Sequence, residues 1–184
     1  MARIEPLTQP YEPMVEAALM KWMPPGADAA DALGLFRTMY VRQDLADRAR
    51  PLGAGLLGRG TLPPQDRELV IDRTCARCGA EYEWGVHVAA FGAAVGLSEE
   101  QLAATYDAEP VASLFSTHQQ ALLTVVDELH ARSRVSDATW RSLASTYDDG
   151  QLLELVMLVG WYLIAFVANS AEVELEPWGA RFPA

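Results

Sequence analysis

Apolar residues recur at three- and four-residue spacing from about residue 30 onward, and no stretch alternates in the manner of a strand series. That period constrains the chain most: it predicts an all-α fold whose helices stop at glycine- and proline-bearing turns. A first short helix is expected around Met14 to Trp22, ending at Pro24-Pro25-Gly26. Asp31 to Arg48 reads as one helix, with Leu33, Phe36, Met39, Tyr40 and Leu45 on one face, and Pro51 to Gly60 as a short frayed one. Pro63-Pro64 followed by Asp66 and Glu68 is a helix-start signature. That helix should run to about Cys78 and stop at Gly79; the next should run from Ala80 to Val95 and stop at Gly96. Ser98-Glu99-Glu100-Gln101 matches a capping box. Helices near 113–132, 136–146 and 150–170 complete the chain, with Ser136 and Asp148 or Asp149 as N-caps.

The net charge of −11 argues against nucleic-acid and anionic-membrane partners. The N-terminus has neither the basic start nor the apolar run of a secretory signal, so a cytoplasmic protein is expected. The apolar stretch Leu152 to Ala168 contains Glu154 and is short against the roughly 20 residues of a membrane span. It reads as a buried helix, covered in part by another subunit. Cys75 and Cys78 are the chain's two cysteines, and in a reducing compartment they are reduced or redox-active thiols rather than a structural disulfide.

The chemically informative residues lie between Arg67 and His87. Glu83 and His87 are four apart and share a helix face, where a carboxylate can orient an imidazole, raise its pKa and exchange protons with it. If the turn at Gly79 folds two helices back on each other, Glu68 approaches His87 as well. Glu68 and Cys75, seven apart, share a face two turns apart. Spacing alone also fits plainer duties, a solvated Glu–His contact and two small buried cysteines. His118 and His130 stand elsewhere and no four-ligand Cys/His cluster occurs, so a metal is not expected.

The run Arg67-Glu68-Leu69-Val70-Ile71 through Cys78-Gly79-Ala80-Glu81-Tyr82-Glu83-Trp84 to His87 resembles the carboxymuconolactone decarboxylase and alkylhydroperoxidase-D-like (AhpD-like) family. Gly92-Ala93-Ala94-Val95-Gly96-Leu97-Ser98 and the C-terminal helix with Leu158-Val159-Gly160-Trp161-Tyr162 and Asn169 fit its pattern. The resemblance spans roughly residues 35 to 175. It implies an AhpD-like helical domain over 31–175, with an N-terminal extension over 1–30 and a tail over 176–184. It also implies a homo-oligomer acting on a small molecule.

Peroxidase members of such a family use a Cys-x-x-Cys pair at the start of the helix bearing the histidine; decarboxylase members act without cofactor and without that pair. Glu68 and His87 match the family's glutamate and histidine. The peroxidase cysteines would fall on Ala80 and Glu83, so they are missing here, and Cys75 and Cys78 stand five residues earlier. A thiol near a helix C-terminus gains no acidity from the dipole. Glu68, Glu83 and His87 are therefore the expected catalytic residues of a cofactor-free lyase, isomerase or hydratase acting on an oxidised small molecule. Cys75, Cys78, Tyr82 and Trp84 are candidates for redox or pocket-lining duty. Two alternatives stand beside this: a thiol-dependent peroxidase or disulfide reductase using Cys75 and Cys78, and a binding or assembly module without activity.

Overall fold

The computed structural model describes residues 2–24 and 26–183, so Pro25 of the expected Pro24-Pro25-Gly26 breaker lies outside the described residues, as do Met1 and Ala184. Among the described residues the fold is all-α: α1 (Pro13–Leu19), α2 (Gly34–Met39), α3 (Gln43–Gly58), α4 (Pro64–Arg77), α5 (Glu81–His87), α6 (Glu99–Ala104), α7 (Thr117–Arg132), α8 (Asp137–Ala144), α9 (Asp149–Tyr162) and α10 (Ala165–Ala171).

Helix α4 is the axis of the molecule, packing against α5, α7 and α9. Leu69, Val70, Ile71, Asp72, Arg73 and Cys75 along it are all fully buried, so every side of this helix faces protein. A helix enclosed this way must partner its polar groups internally. Arg73 does so, pairing with Asp127 at 2.9 Å and donating to the carbonyls of Thr105 and Asp107.

The α4–α5 turn is a Schellman motif. Gly79 takes a left-handed φ of +61°, its N–H donates to Ala76, and the Ala80 N–H donates to Cys75. This six-to-one bond reverses the chain sharply and lays α5 back along α4. Past His87 the helix widens into a π-turn, Val88–Gly92, and ends at Gly96 with φ +82°. The expected caps form: Ser98 and Asp148 in capping boxes, and Ser136 at α8.

Three expectations require correction. Asp31 to Arg48 is not one helix: a tight 3₁₀ turn, Tyr40–Arg42, separates α2 from α3. Pro51 to Gly58 is the second half of α3, which runs through Pro51. The C-terminal apolar stretch is also longer than its sequence bounds: Asp149–Ala171, taken as α9 and α10 together, is long and apolar enough to cross a membrane, and less than half of its most apolar part is buried. Its acidic member, Glu154, accepts from the backbone and hydroxyl of Thr61, fastening α9 to the start of α4.

Both ends of the chain pack onto the central helices. Leu19 and Ala18 of α1 share a small core with Ala32, Tyr40 and Ala46. The C-terminal segment crosses α5, where the Ala180 N–H donates to the Gly85 carbonyl and Phe182 lies against Trp84.

Candidate functional site

The Schellman turn brings Glu68 to His87. The carboxylate Oε2 lies 2.7 Å from His87 Nδ1, and its other oxygen accepts from Arg67 at 3.1 Å. The far ring nitrogen, Nε2, lies 3.0 Å from the hydroxyl of Tyr162, the last residue of α9. All three side chains are buried. They form a chain of hydrogen bonds from carboxylate to imidazole to phenol.

That chain ends in a cavity of about 410 Å³ whose polar lining comes chiefly from Glu83, His87 and Tyr162. This volume lies within the roughly 300–1,000 Å³ of small-molecule sites. The remaining wall is aromatic and aliphatic, including Trp22, Phe36, Phe91, Trp161 and Trp178. The π-turn places Phe91 against the imidazole, with ring centroids 5.3 Å apart. π-turns of this kind recur at functional sites. Trp22 comes from the N-terminal extension and Trp178 from the C-terminal tail, so both termini help to close the cavity.

Electrostatics separate the acids into distinct roles. Burial pushes Glu68 upward, but the hydrogen bond and charge of His87, with Arg67, outweigh it and hold the carboxyl below its ordinary range. Burial alone would push His87 down; the Glu68 hydrogen bond and charge, aided by Glu83 and Asp72, outweigh it and raise the imidazole. Both shifts favour the ion-paired form of Glu68 and His87. Burial raises Glu83, partly offset by the His87 charge, and its carboxyl makes no hydrogen bond among the described residues. Tyr162 is pushed well up by burial and by the charges of Glu83 and Glu68, so it stays a neutral donor.

The cysteines stand apart from this centre. Cys75 is fully buried in the hydrophobic core and does not line the cavity. Burial, then Glu83 and Asp72, push its thiol well above the ordinary value. Cys78 caps α4, is half-buried, and is likewise raised by burial. Both thiols are free.

Tyr82 and Trp84 do not line the cavity beside His87 and act in packing instead. The Tyr82 hydroxyl accepts from the Leu35 N–H and donates to Glu176 at 2.7 Å, and Trp84 Nε1 donates to Thr105 at 2.9 Å. Glu83 and His87 share a face as expected, but it is Glu68 that binds the imidazole. Arg73 pairs with Asp127 and with neither glutamate.

Sequence reasoning missed Tyr162 as a site residue. It had only a helix-face position far along the chain, 75 residues from His87. Asp72 was missed too, although its i+4 spacing from Glu68 puts it on the same face. Among the described residues no group of three or more His, Cys, Asp or Glu side chains is arranged to hold a metal ion.

A family model described as the Carboxymuconolactone decarboxylase family matches residues 43–127, the stretch that carries Glu68, Glu83 and His87. That stretch of the chain is similar to the family. The chain's fold is also that of an uncharacterized peroxidase-related protein from Silicibacter sp. TM1040, with a TM-score of 0.74 at 15% identity, covering 98% of this chain and 96% of the other. The debrominase Bmp8 superposes with a TM-score of 0.75 at 13% identity over 95% of this chain and 92% of its own. A cysteine-to-alanine variant of Bmp8 in complex with 2,3,4-tribromopyrrole gives 0.72 at 13%, over 95% and 91%. These likenesses carry the AhpD-like helical fold and nothing finer. No curated protein matches the sequence significantly.

Proposed function

We propose that this protein is a cofactor-free acid/base enzyme that moves protons on a small carbonyl-bearing molecule, as a lyase, isomerase or hydratase. The observation that carries the reading is the Glu68–His87–Tyr162 chain ending in an apolar cavity opposite an unpaired Glu83. With His87 as imidazolium, Nε2–H donates to the Tyr162 oxygen, which frees the phenolic O–H to point at a substrate oxygen. Charge developing on that oxygen is met by a donor already oriented and backed by a cation. Glu83 is raised toward the working pH, where a carboxylate is a stronger base, and it takes the proton from carbon next to the carbonyl. Return of a proton to the enolate completes an isomerisation, a hydration or the protonation that follows loss of carbon dioxide.

The test is exchange chemistry. Incubated in D₂O with a panel of small cyclic ketones and lactones, the protein is expected to speed deuterium uptake next to the carbonyl of at least one of them. Loss of a positioned acid or base costs about 10²–10⁴ in rate. Tyr162→Phe and Glu83→Gln should each reduce exchange by that order, while Cys75→Ala stays within a few-fold of the parent. Activity lost in Cys75→Ala and kept in Glu83→Gln would overturn the reading.

A thiol-dependent peroxidase or disulfide reductase is the second reading, favoured by the two free cysteines at the end of α4. It predicts consumption of a hydroperoxide with a dithiol reductant and loss of that activity in Cys78→Ala. Closure of Cys75 in the core and the raised thiols weigh against it.

The reading includes a cytoplasmic, homo-oligomeric protein. Support for assembly is the half-exposed apolar surface of α9 and α10.

A further inference from the structure

The cavity also speaks to what it holds. Among the described residues its lining has no arginine or lysine. Arg67, the basic side chain bound to Glu68, is committed also to the Leu57 carbonyl and does not line the cavity. The chain's one lysine, Lys21, is exposed and lies outside the lining as well. The positive charge of His87 is answered by Glu68 at 2.7 Å. What remains facing the cavity is Glu83, whose ionised form repels an anion at short range in a poorly screened site. A carboxylate ligand would lose its water here and gain no cation in exchange, a costly transfer.

The wall selects positively for something else. Trp22, Phe36, Phe91, Trp161 and Trp178 surround the space, offering faces on which a flat ring packs. Tyr162 offers one oriented donor. We infer that the site takes a neutral, planar ring compound bearing one carbonyl oxygen, and excludes carboxylate-bearing relatives of the same ring. This rests on the acid/base reading above and narrows it. With no carboxylate to lose, the reaction is a proton shift within the ring: one carbon–hydrogen bond breaks to Glu83, another forms from a returned proton, and no electrons leave the molecule.

The test is binding without turnover. Coumarin and phthalide, both neutral, are titrated calorimetrically into the protein at pH 7.5, beside coumarin-3-carboxylate and phthalide-3-acetate. Each neutral compound is expected to bind at least tenfold tighter than its carboxylate partner. Glu83→Gln removes the repelling charge and should shrink that gap by several-fold, whereas Trp161→Ala should weaken the neutral compounds without restoring the carboxylates. Carboxylates binding as tightly as their neutral partners would overturn the inference, and so would failure of both neutral compounds to bind. The two readings fail separately. Correct binding order without deuterium exchange sinks the acid/base reading alone; exchange with the order reversed sinks the substrate class alone.

Discussion

Asp72 sits in α4 with no exposed surface, and neither of its carboxylate oxygens has a hydrogen-bond partner among the described residues. An ionised carboxylate in that position is severely penalised, so the group answers by holding its proton. Burial raises it well above 3.8, the His87 charge opposes this, and the Glu68 charge adds to it. The consequence for stability has a definite sign. The folded state binds the proton more tightly than the unfolded chain, so stability falls as pH rises from the unfolded value toward the folded one. Asp72→Asn removes this group's titration. Urea unfolding at pH 5 and pH 8 should show the variant gaining on the parent as pH rises; a difference that is flat or moves the other way would refute it. The Glu68–His87 pair acts in the opposite sense on its acid side. Lowered Glu68 contributes stability that is lost as pH falls through its folded value, and raised His87 contributes stability that is lost as pH rises through its own.

These residues also mark what a sequence can disclose about a site. Glu68 and His87 were legible because one local device, the glycine turn at Gly79, joins them across 19 residues. Tyr162 was not, because nothing local ties α9 to α5. The role of Glu83 was half legible: its helix face was right, yet the imidazole is held by a carboxylate from the neighbouring helix. The cysteines resemble a redox pair in spacing alone; only burial reveals that Cys75 is closed off.

At the scale of elements, the C-terminal segment depends on a missing side chain. Gly85 lies inside α5, and a Cβ there would fall on the carbonyl oxygen of Ala180. Replacing glycine by alanine inside a helix ordinarily stabilises by about 1 kcal/mol. At Gly85 the contact with backbone reverses the sign, since overpacking costs about 1–3 kcal/mol. Gly85→Ala should therefore lower the melting temperature and, by lifting the segment that carries Trp178, loosen the cavity. Gly55→Ala in α3, where a Cβ meets nothing within 4 Å, should raise it. Equal shifts in the two variants would refute the account. The broad helical pattern was legible because glycine, proline and capping residues mark most boundaries locally. The break between α2 and α3 and the passage of α3 through Pro51 were not, because tertiary packing decides them.

The whole molecule exposes more surface than its mass requires. A folded monomer of 20.1 kDa is expected to show about 8,700 Å², and this chain shows 9,848 Å². The excess is of the order of the roughly 800 Å² that each partner buries in a stable interface. An apolar groove runs between α3 and the α9–α10 pair, where Val41, Leu45, Leu52, Met157 and Val167 are all exposed. Lone exposed apolar residues need no partner, but a contiguous groove of them does. A second copy of this chain suits it, because a closed two-fold contact lets one apolar patch cover its own equivalent. Trp161 belongs to both this groove and the cavity beside His87, so covering the groove would also fix one wall of that cavity. The purified protein should therefore sediment as a dimer or larger species at micromolar concentration. Leu45→Glu with Met157→Glu should yield a monomer that keeps its helical circular dichroism. A parent protein that sediments as a monomer and floats with lipid vesicles would assign the same groove, and the long apolar stretch Asp149–Ala171, to a membrane surface instead.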